Sequence, residues 1–401
     1  MPNFQQLTVS KWNQFNLIDI KFDKKVTILT GANGSGKTTL LKMLSLHCNF
    51  QSEFYLVPQD TGQLYMPAIV GMPEGPPRPI QVASLTLSSG TNMSFIVPSQ
   101  QSAAMYRPSW QRMTERVNSI YIPSTRQVFT YSNQGSIQTK KQPVGAEKIV
   151  NEQSFLQNVA HDIKTKLLNW AFNGFDSLVV RGDQQIAAYF TGFQDLLKQV
   201  LPKDVGFEKF DIINNEIVFK CSNGRSFLLE SVSSGIGSLI SIAWQLYHFK
   251  YDVSHAPFTV IIDEAEAHLH PKMQRSFLPT LSRAFPNANF IVTTHSPLMI
   301  NSVQDSRVYV LAPNDSGYID SVELDFEGDI STANTILNEV LGVPTTYPIW
   351  VEDKLVEIEN KYSNMLSNQI DFEALQQELE EIGLGSAFLS TMTKVMERKD
   401  D

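Results

Sequence analysis

Apolar and polar positions divide the chain into stretches of different period. Residues 15–22 (FNLIDIKF) and 26–29 (VTIL) read as strands joined by a charged turn at Asp23 and Lys24. Residues 38–46 (TTLLKMLSL) follow a glycine-rich loop with helical spacing. Between 53 and 109, Pro58, Pro67, Pro73, Pro76, Pro77 and Pro79 separate the short apolar runs YLV, AIV, VASLTL and MSFIVP. These runs predict a mostly antiparallel, β-rich subdomain over about 50–145. Further strands are expected at 121–123 and 127–131, with a polar loop at 134–144. Helical period returns over 151–172, where Phe155, Val159, Ile163 and Leu167 form a stripe, and over 184–200. Those two segments predict a compact helical insertion over about 150–202.

Strands resume at 210–219 and 225–229, followed by a helix at 239–249. Residues 258–262 (FTVII) have the continuous apolar character of a buried strand, and the run ends on two carboxylates. A helix at 272–285, despite Pro279, and strands at 290–293 and 307–311 complete an alternation of strand and helix. That order predicts an α/β fold, a largely parallel sheet with helical cover. The expected domains are a head over 1–329, whose second half occupies 207–311, and a helical region over 330–401.

Composition narrows the function. The 401 residues are 42% apolar and 18% charged, enough apolar material for a sizeable core. The balance is 32 − 41 = −9, which argues against a protein that coats nucleic acid through unselective charge. Residues 352–401 carry 12 acidic and 5 basic side chains, so the acidity is concentrated in the tail. Cys48 and Cys221 form no short-spaced pair, which excludes a zinc ribbon or disulfide framework and suits a reducing compartment. With neither a secretory leader nor a run of ~20 apolar residues, a soluble cytoplasmic protein is expected.

Two motifs carry chemistry. Residues 31–38 (GANGSGKT) match G-x-x-x-x-G-K-[ST] at every fixed position, between a strand and a helix. The glycines let successive N–H groups converge on phosphate oxygens, which assigns Asn33, Gly34, Ser35, Gly36, Lys37, Thr38 and Thr39 to nucleotide binding. Lys37 reaches the β- and γ-phosphates, and the Thr38 hydroxyl ligates Mg²⁺. Residues 260–264 (VIIDE) end a strand with Asp263, placed for Mg²⁺, and Glu264, placed to orient or deprotonate an attacking water.

With SSGIGS at 233–238, EAHLHP at 266–271 and TTHSP at 293–297, the chain resembles the ATP-binding-cassette class of ATPases, in its SMC/RecF/OLD-like branch. The resemblance runs over residues 1–311, with a diverged middle. It implies a P-loop NTPase head working as at least a dimer, with Ser234 and Gly235 of one copy closing on the γ-phosphate held by the other. It also implies that His295 contacts that phosphate and that 266–271 communicates across the dimer. Ile236 and Gly237 depart from the LSGGQ or LSGGE pattern. The glutamine that links nucleotide to the diverged middle is either Gln59 or Gln127.

Stand-alone chains of this kind resemble the ATPase subunits of bacterial anti-phage systems of the PARIS (AriA) and Septu (PtuA) types. That implies an ATP- and Mg²⁺-dependent sensor controlling a separate nuclease or toxin, triggered by DNA or a phage protein. Residues 352–401 contain no D-x-D cluster, so a nuclease is not expected within the chain. The alternative is a RecF- or SMC-like repair clamp on duplex DNA, for which Arg107, Arg112, Arg116 and Arg126 are the candidate patch. A third reading is a scaffold in which nucleotide only stabilises an oligomer.

Overall fold

The computed structural model describes residues 2–324 and 349–395, except positions 49, 51, 53, 56–57, 61–64, 68–79, 98–104, 107, 127–128, 130, 132–139, 145–151, 179–180, 364–371, 382–383, 386–387, 389–390 and 394. The AIV run at 68–70, most of the strand expected at 127–131 and the boundary at 329/330 lie outside the described residues. The chain divides into two compact units, Met1–Ile336 and Leu337–Asp401.

The first unit begins with β1 (Phe4–Trp12), β2 (Phe15–Lys21) and β3 (Val26–Gly31), and then α1 (Lys37–Ser45). Short strands β4 (Phe54–Tyr55), β5 (Pro58–Asp60) and β6 (Tyr65–Pro67) precede β7 (Ile80–Leu87), β8 (Asn92–Val97), β9 (Met105–Tyr106), β10 (Ser109–Gln111) and β11 (Ser119–Ile122). Helices α2 (Glu152–Gly174) and α3 (Gln184–Val200) follow, then β12 (Phe207–Ile213), β13 (Glu216–Cys221) and β14 (Ser226–Leu228). The remainder is α4 (Ser234–Asp252), β15 (Phe258–Ile262), α5 (Pro271–Ala284), β16 (Ala288–Thr293), α6 (Pro297–Ile300), β17 (Ser306–Pro313) and β18 (Ile319–Leu324).

One 11-stranded sheet organises this unit, in the order β10-β8-β7-β1-β2-β18-β17-β3-β16-β15-β11. From β17 to β11 every pairing is parallel, and these strands are buried runs, as parallel strands under helical cover must be. From β10 to β2 every pairing is antiparallel. The sheet is therefore mixed rather than largely parallel. The antiparallel strands of the β-rich region extend the main sheet through β1, an element absent from the reading above. Phe4, Leu7, Val9 and Trp12 of β1 are buried, and Trp12 meets Phe95 edge to face with ring centroids 5.7 Å apart.

Two further boundaries differ from the pattern. The run 210–219 breaks at Asn214 and Asn215, both at positive φ, into the β12–β13 hairpin. Helix α4 starts at Ser234, so the signature segment, residues 233–238, forms its N-cap and opening turns rather than a loop before it. This helix is buried on nearly all sides. Trp244 packs on Trp170 of α2 and Phe193 of α3, and Phe249 on Phe258 of β15.

In the second unit, α7 (Ile349–Ser363) and α8 (Phe372–Glu381) bury Val351, Ile358, Tyr362, Leu375 and Leu379 in a core of their own. Among the described residues, no helix is long and apolar enough to cross a membrane.

Candidate functional site

The parallel order β3-β16-β15 brings the carboxyl ends of three strands together, and each delivers one sequence-predicted group. Strand β3 runs into the phosphate loop. Gly34 and Gly36 sit at φ +80° and +92°, a region that L side chains enter at a cost. At Gly36 an added Cβ would lie 2.3 Å from the Phe15 ring, whereas at Gly34 the space is open. Asn33 and Gly34 are exposed at the loop tip, Ser35 is buried, and Thr38 and Thr39 are half-buried in the first turn of α1. Lys37 is buried, and its Nζ donates to the carbonyls of Gly31 and Ala32 at 3.0 and 2.9 Å. Burial lowers the ammonium's pKa, opposed by the carboxylates of Asp263, Glu266 and Glu264.

Strand β15 carries Asp263, 1% exposed, whose Oδ1 accepts from Thr293 Oγ1 at 2.6 Å and Thr38 Oγ1 at 3.1 Å. The last bond joins the two predicted Mg²⁺ residues across 225 positions of sequence. Glu264 is exposed and left-handed, at φ +45°, and its N–H donates to Thr293 Oγ1 at 2.7 Å. Strand β16 ends in Thr293 and leads to His295, which is half-buried. Its N–H donates to Glu266 Oε1 at 2.6 Å, while Glu266 Oε2 is buried without a partner. Burial, then the Lys37 charge, pushes the His295 pKa below its ordinary value of 6.5, which favours a neutral ring at pH 7.

The donor set fits a magnesium nucleotide. A hydroxyl and a carboxylate, hydrogen-bonded to each other, are hard oxygen ligands of the type that Mg²⁺ takes alongside phosphate oxygens. No group of three or more His, Cys, Asp or Glu able to hold a metal ion occurs among the described residues, so these residues would hold the ion together with a nucleotide.

The signature residues lie on α4. Ser233 and Ser234 are exposed, and the Ser233 side chain makes no capping bond to the helix. Gly235 packs so closely that an added Cβ would lie 2.8 Å from the His268 carbonyl oxygen. The departures at Ile236 and Gly237 have a local reason. Ile236 is buried, and a Cβ at 237 would lie 2.8 Å from the Phe129 ring. His270 caps α5, its Nδ1 accepting from Lys272 N. Gln59 lies in β5, and Gln127 lies outside the described residues.

Three groups at the site escaped the sequence reading. Thr293 touches both members of the carboxylate pair, Glu266 fixes the His295 backbone, and Gln274 of α5 ties Leu269 to Ser296. Glu266 and Thr293 sit at the first positions of the 266–271 and 293–297 segments, where nothing local marks their partners. Arg126 belonged to the candidate DNA patch. It is instead 5% exposed and points into the loop after β15. Burial pulls its guanidinium pKa down to about 10, so it remains a cation at neutral pH.

The chain is similar to several known proteins. Residues 4–46 match the family described as "P-loop containing region of AAA domain". The chain is 26% identical over 271 residues to the Septu protein PtuA of Bacillus mycoides (strain KBAB4), covering 66% of this chain and 37% of that protein. It is 28% identical over 182 residues to PtuA of Bacillus thuringiensis, covering 40% and 45% respectively. It is 24% identical over 213 residues to the Retron Ec83 probable ATPase of Escherichia coli, covering 52% and 37%. The chain thus spans less than half the length of these relatives. Among solved structures, the Smc head domain with an extended coiled coil from Pyrococcus furiosus matches at a TM-score of 0.47 and 15% identity, over 85% of this chain and 100% of that one. Residues 26–301 match the family described as "AAA domain, putative AbiEii toxin, Type IV TA system", and the protein belongs to this family of P-loop ATPases.

Proposed function

We propose that the chain hydrolyses ATP in a two-copy sandwich and that this hydrolysis controls a separate effector in an anti-phage defence system. The observation that carries the hydrolytic part is the Thr38–Asp263–Thr293 bond network, which joins the phosphate loop to the carboxylate strand. In this reading Lys37 and the N–H groups of residues 33–39 hold the phosphates. Thr38 and Asp263 would hold Mg²⁺, which supplies positive charge to the phosphate oxygens. The water oxygen attacks the γ-phosphorus, Glu264 takes its proton, and ADP leaves with the electrons of the broken P–O bond. The neutral His295 ring donates to the γ-phosphate. Ser234 and Gly235 of the second copy close the site, a role suited to exposed hydroxyls and an uncapped helix start.

The defence role is supported by the two Septu proteins and the retron ATPase among the relatives. The repair-clamp alternative is weakened, because Arg126 is buried and cannot join a surface patch. Phosphate release by the purified protein should fall by about 100-fold or more in Lys37→Ala and Glu264→Gln. The same substitutions should abolish protection of cells that carry the chain with its gene neighbour during phage challenge. Undiminished release in both variants would refute the catalytic assignment, and undiminished protection would refute ATP-dependent defence.

A further inference from the structure

Residues 263–268 leave β15 in a tight turn with two non-glycine residues in left-handed conformation, Glu264 at φ +45° and His268 at φ +66°. L side chains enter this region at a cost, so something must hold the turn there. The turn also directs several carbonyl oxygens to one side. Arg126, just beyond the end of β11, collects them. Its Nη2 donates to the carbonyls of Asp263 at 3.2 Å and Glu264 at 2.9 Å. Its Nη1 donates to Ala267 O at 2.9 Å, Ala265 O at 3.4 Å and Ser238 Oγ at 3.3 Å.

We propose that Arg126 is the positioning residue for hydrolysis, holding the Asp263–Glu264 turn in its strained form and fastening it to the signature helix of the same chain. The proposal rests on the ATPase reading above. A buried guanidinium is costly unless its charge and its donors find partners, and here they do. The guanidinium does what an apolar group cannot. Its planar fork pairs the buried carbonyls of Asp263 and Ala265, adds a second bond to the Glu264 carbonyl that already accepts from Ala267 N–H, and its charge offsets the carboxylates of Glu266, Asp263 and Glu264. A lysine has neither the fork nor its span. The bond to Ser238 has a separate consequence. Ser238 lies one helical turn beyond Ser234, the residue assigned to the second copy's nucleotide. Arg126 therefore connects the carboxylates that act on one nucleotide to the segment that touches the other.

The test uses the full chain with Arg126→Gln, Arg126→Lys and Ser238→Ala. Arg126→Gln should bind a fluorescent ATP analogue within about threefold of wild type while kcat falls about 100-fold, the scale of loss from a misplaced reacting group. Arg126→Lys should recover little of that loss. In nucleotide-free protein, the amides of residues 264–269 should exchange hydrogen faster in Arg126→Gln, with β3 and β16 unchanged. Ser238→Ala, which removes one contact and leaves the turn's carbonyls paired, should lower kcat about threefold without raising KM. Should Arg126→Gln fail to fold, Ser238→Ala decides, and unchanged kcat there overturns the proposal. A kcat for Arg126→Gln within threefold of wild type, or full recovery in Arg126→Lys, also overturns it. A wild-type protein that releases no phosphate defeats the ATPase reading instead, so the two failures are distinguishable.

Discussion

The loop after β3 and the loop after β15 flank the same strand, β16, and they keep their shapes in opposite ways. The phosphate loop is shaped from within. Its glycines take the positive φ values, and its own lysine binds its own carbonyls. The carboxylate loop is shaped from outside. It places Glu264 and His268, neither of them glycine, at positive φ and depends on Arg126, Thr293 and Gln274 from three other segments. A self-contained loop can be read from eight consecutive letters. A loop held by distant partners cannot.

The contrast can be broken by substitution. The largest effect is expected at Gly36. Gly36→Ala adds backbone strain and a contact 2.3 Å from the Phe15 ring, and should cost about 4 kcal/mol in urea unfolding. Gly34→Ala, which has open space, should cost only about 1 kcal/mol. Equal losses would mean that the loop is not shaped by its own backbone in the way described.

Acid should next erode the phosphate-loop side. His47, just after α1, is 3% exposed between Phe4 and Trp110, with neither ring nitrogen hydrogen-bonded. Burial, then Arg116, pushes its pKa down to about 4 from 6.5. A depressed pKa means that the unfolded chain takes up the proton first. This contribution is therefore intact above pH 6.5 and is lost as the pH falls toward 4, by about 3 kcal/mol. Denaturation profiles over that range should be flatter in His47→Phe by that amount.

A more modest effect sharpens the outside-held half. Thr293→Val keeps the shape but removes the hydroxyl that serves Asp263 Oδ1 and Glu264 N, and should cost about 2 kcal/mol. Phosphate release should fall with it. A silent Thr293→Val would show that the carboxylate loop needs no such support.

The same distinction explains what was legible in the sequence. Local motifs mark Lys37, Thr38 and Asp263, the family resemblance adds His295, and the structure brings all four to neighbouring strand ends. The helices α2 and α3 were visible because their apolar stripes repeat with helical period. Strand β1 alternates at Leu7, Val9 and its neighbours, but its role depends on joining β7 to β2, which no local pattern encodes. Arg126 looked like a surface cation because a lone arginine in IPSTRQV has no letter nearby to mark its five acceptors. Those acceptors lie 112 to 141 residues away.

The sheet has a further consequence for how the protein is made. Strand β2 is flanked on one side by β1, available as soon as the chain emerges, and on the other by β18, where Phe15 pairs with Ile319. Strand β3 likewise waits for β16 and β17. The nascent polypeptide must leave the ribosome almost to residue 324 before these early strands lose their open edges. Pairings across such separations close slowly, and an unpaired edge invites association with another chain. Translation past β18 therefore completes the pairing of both early strands.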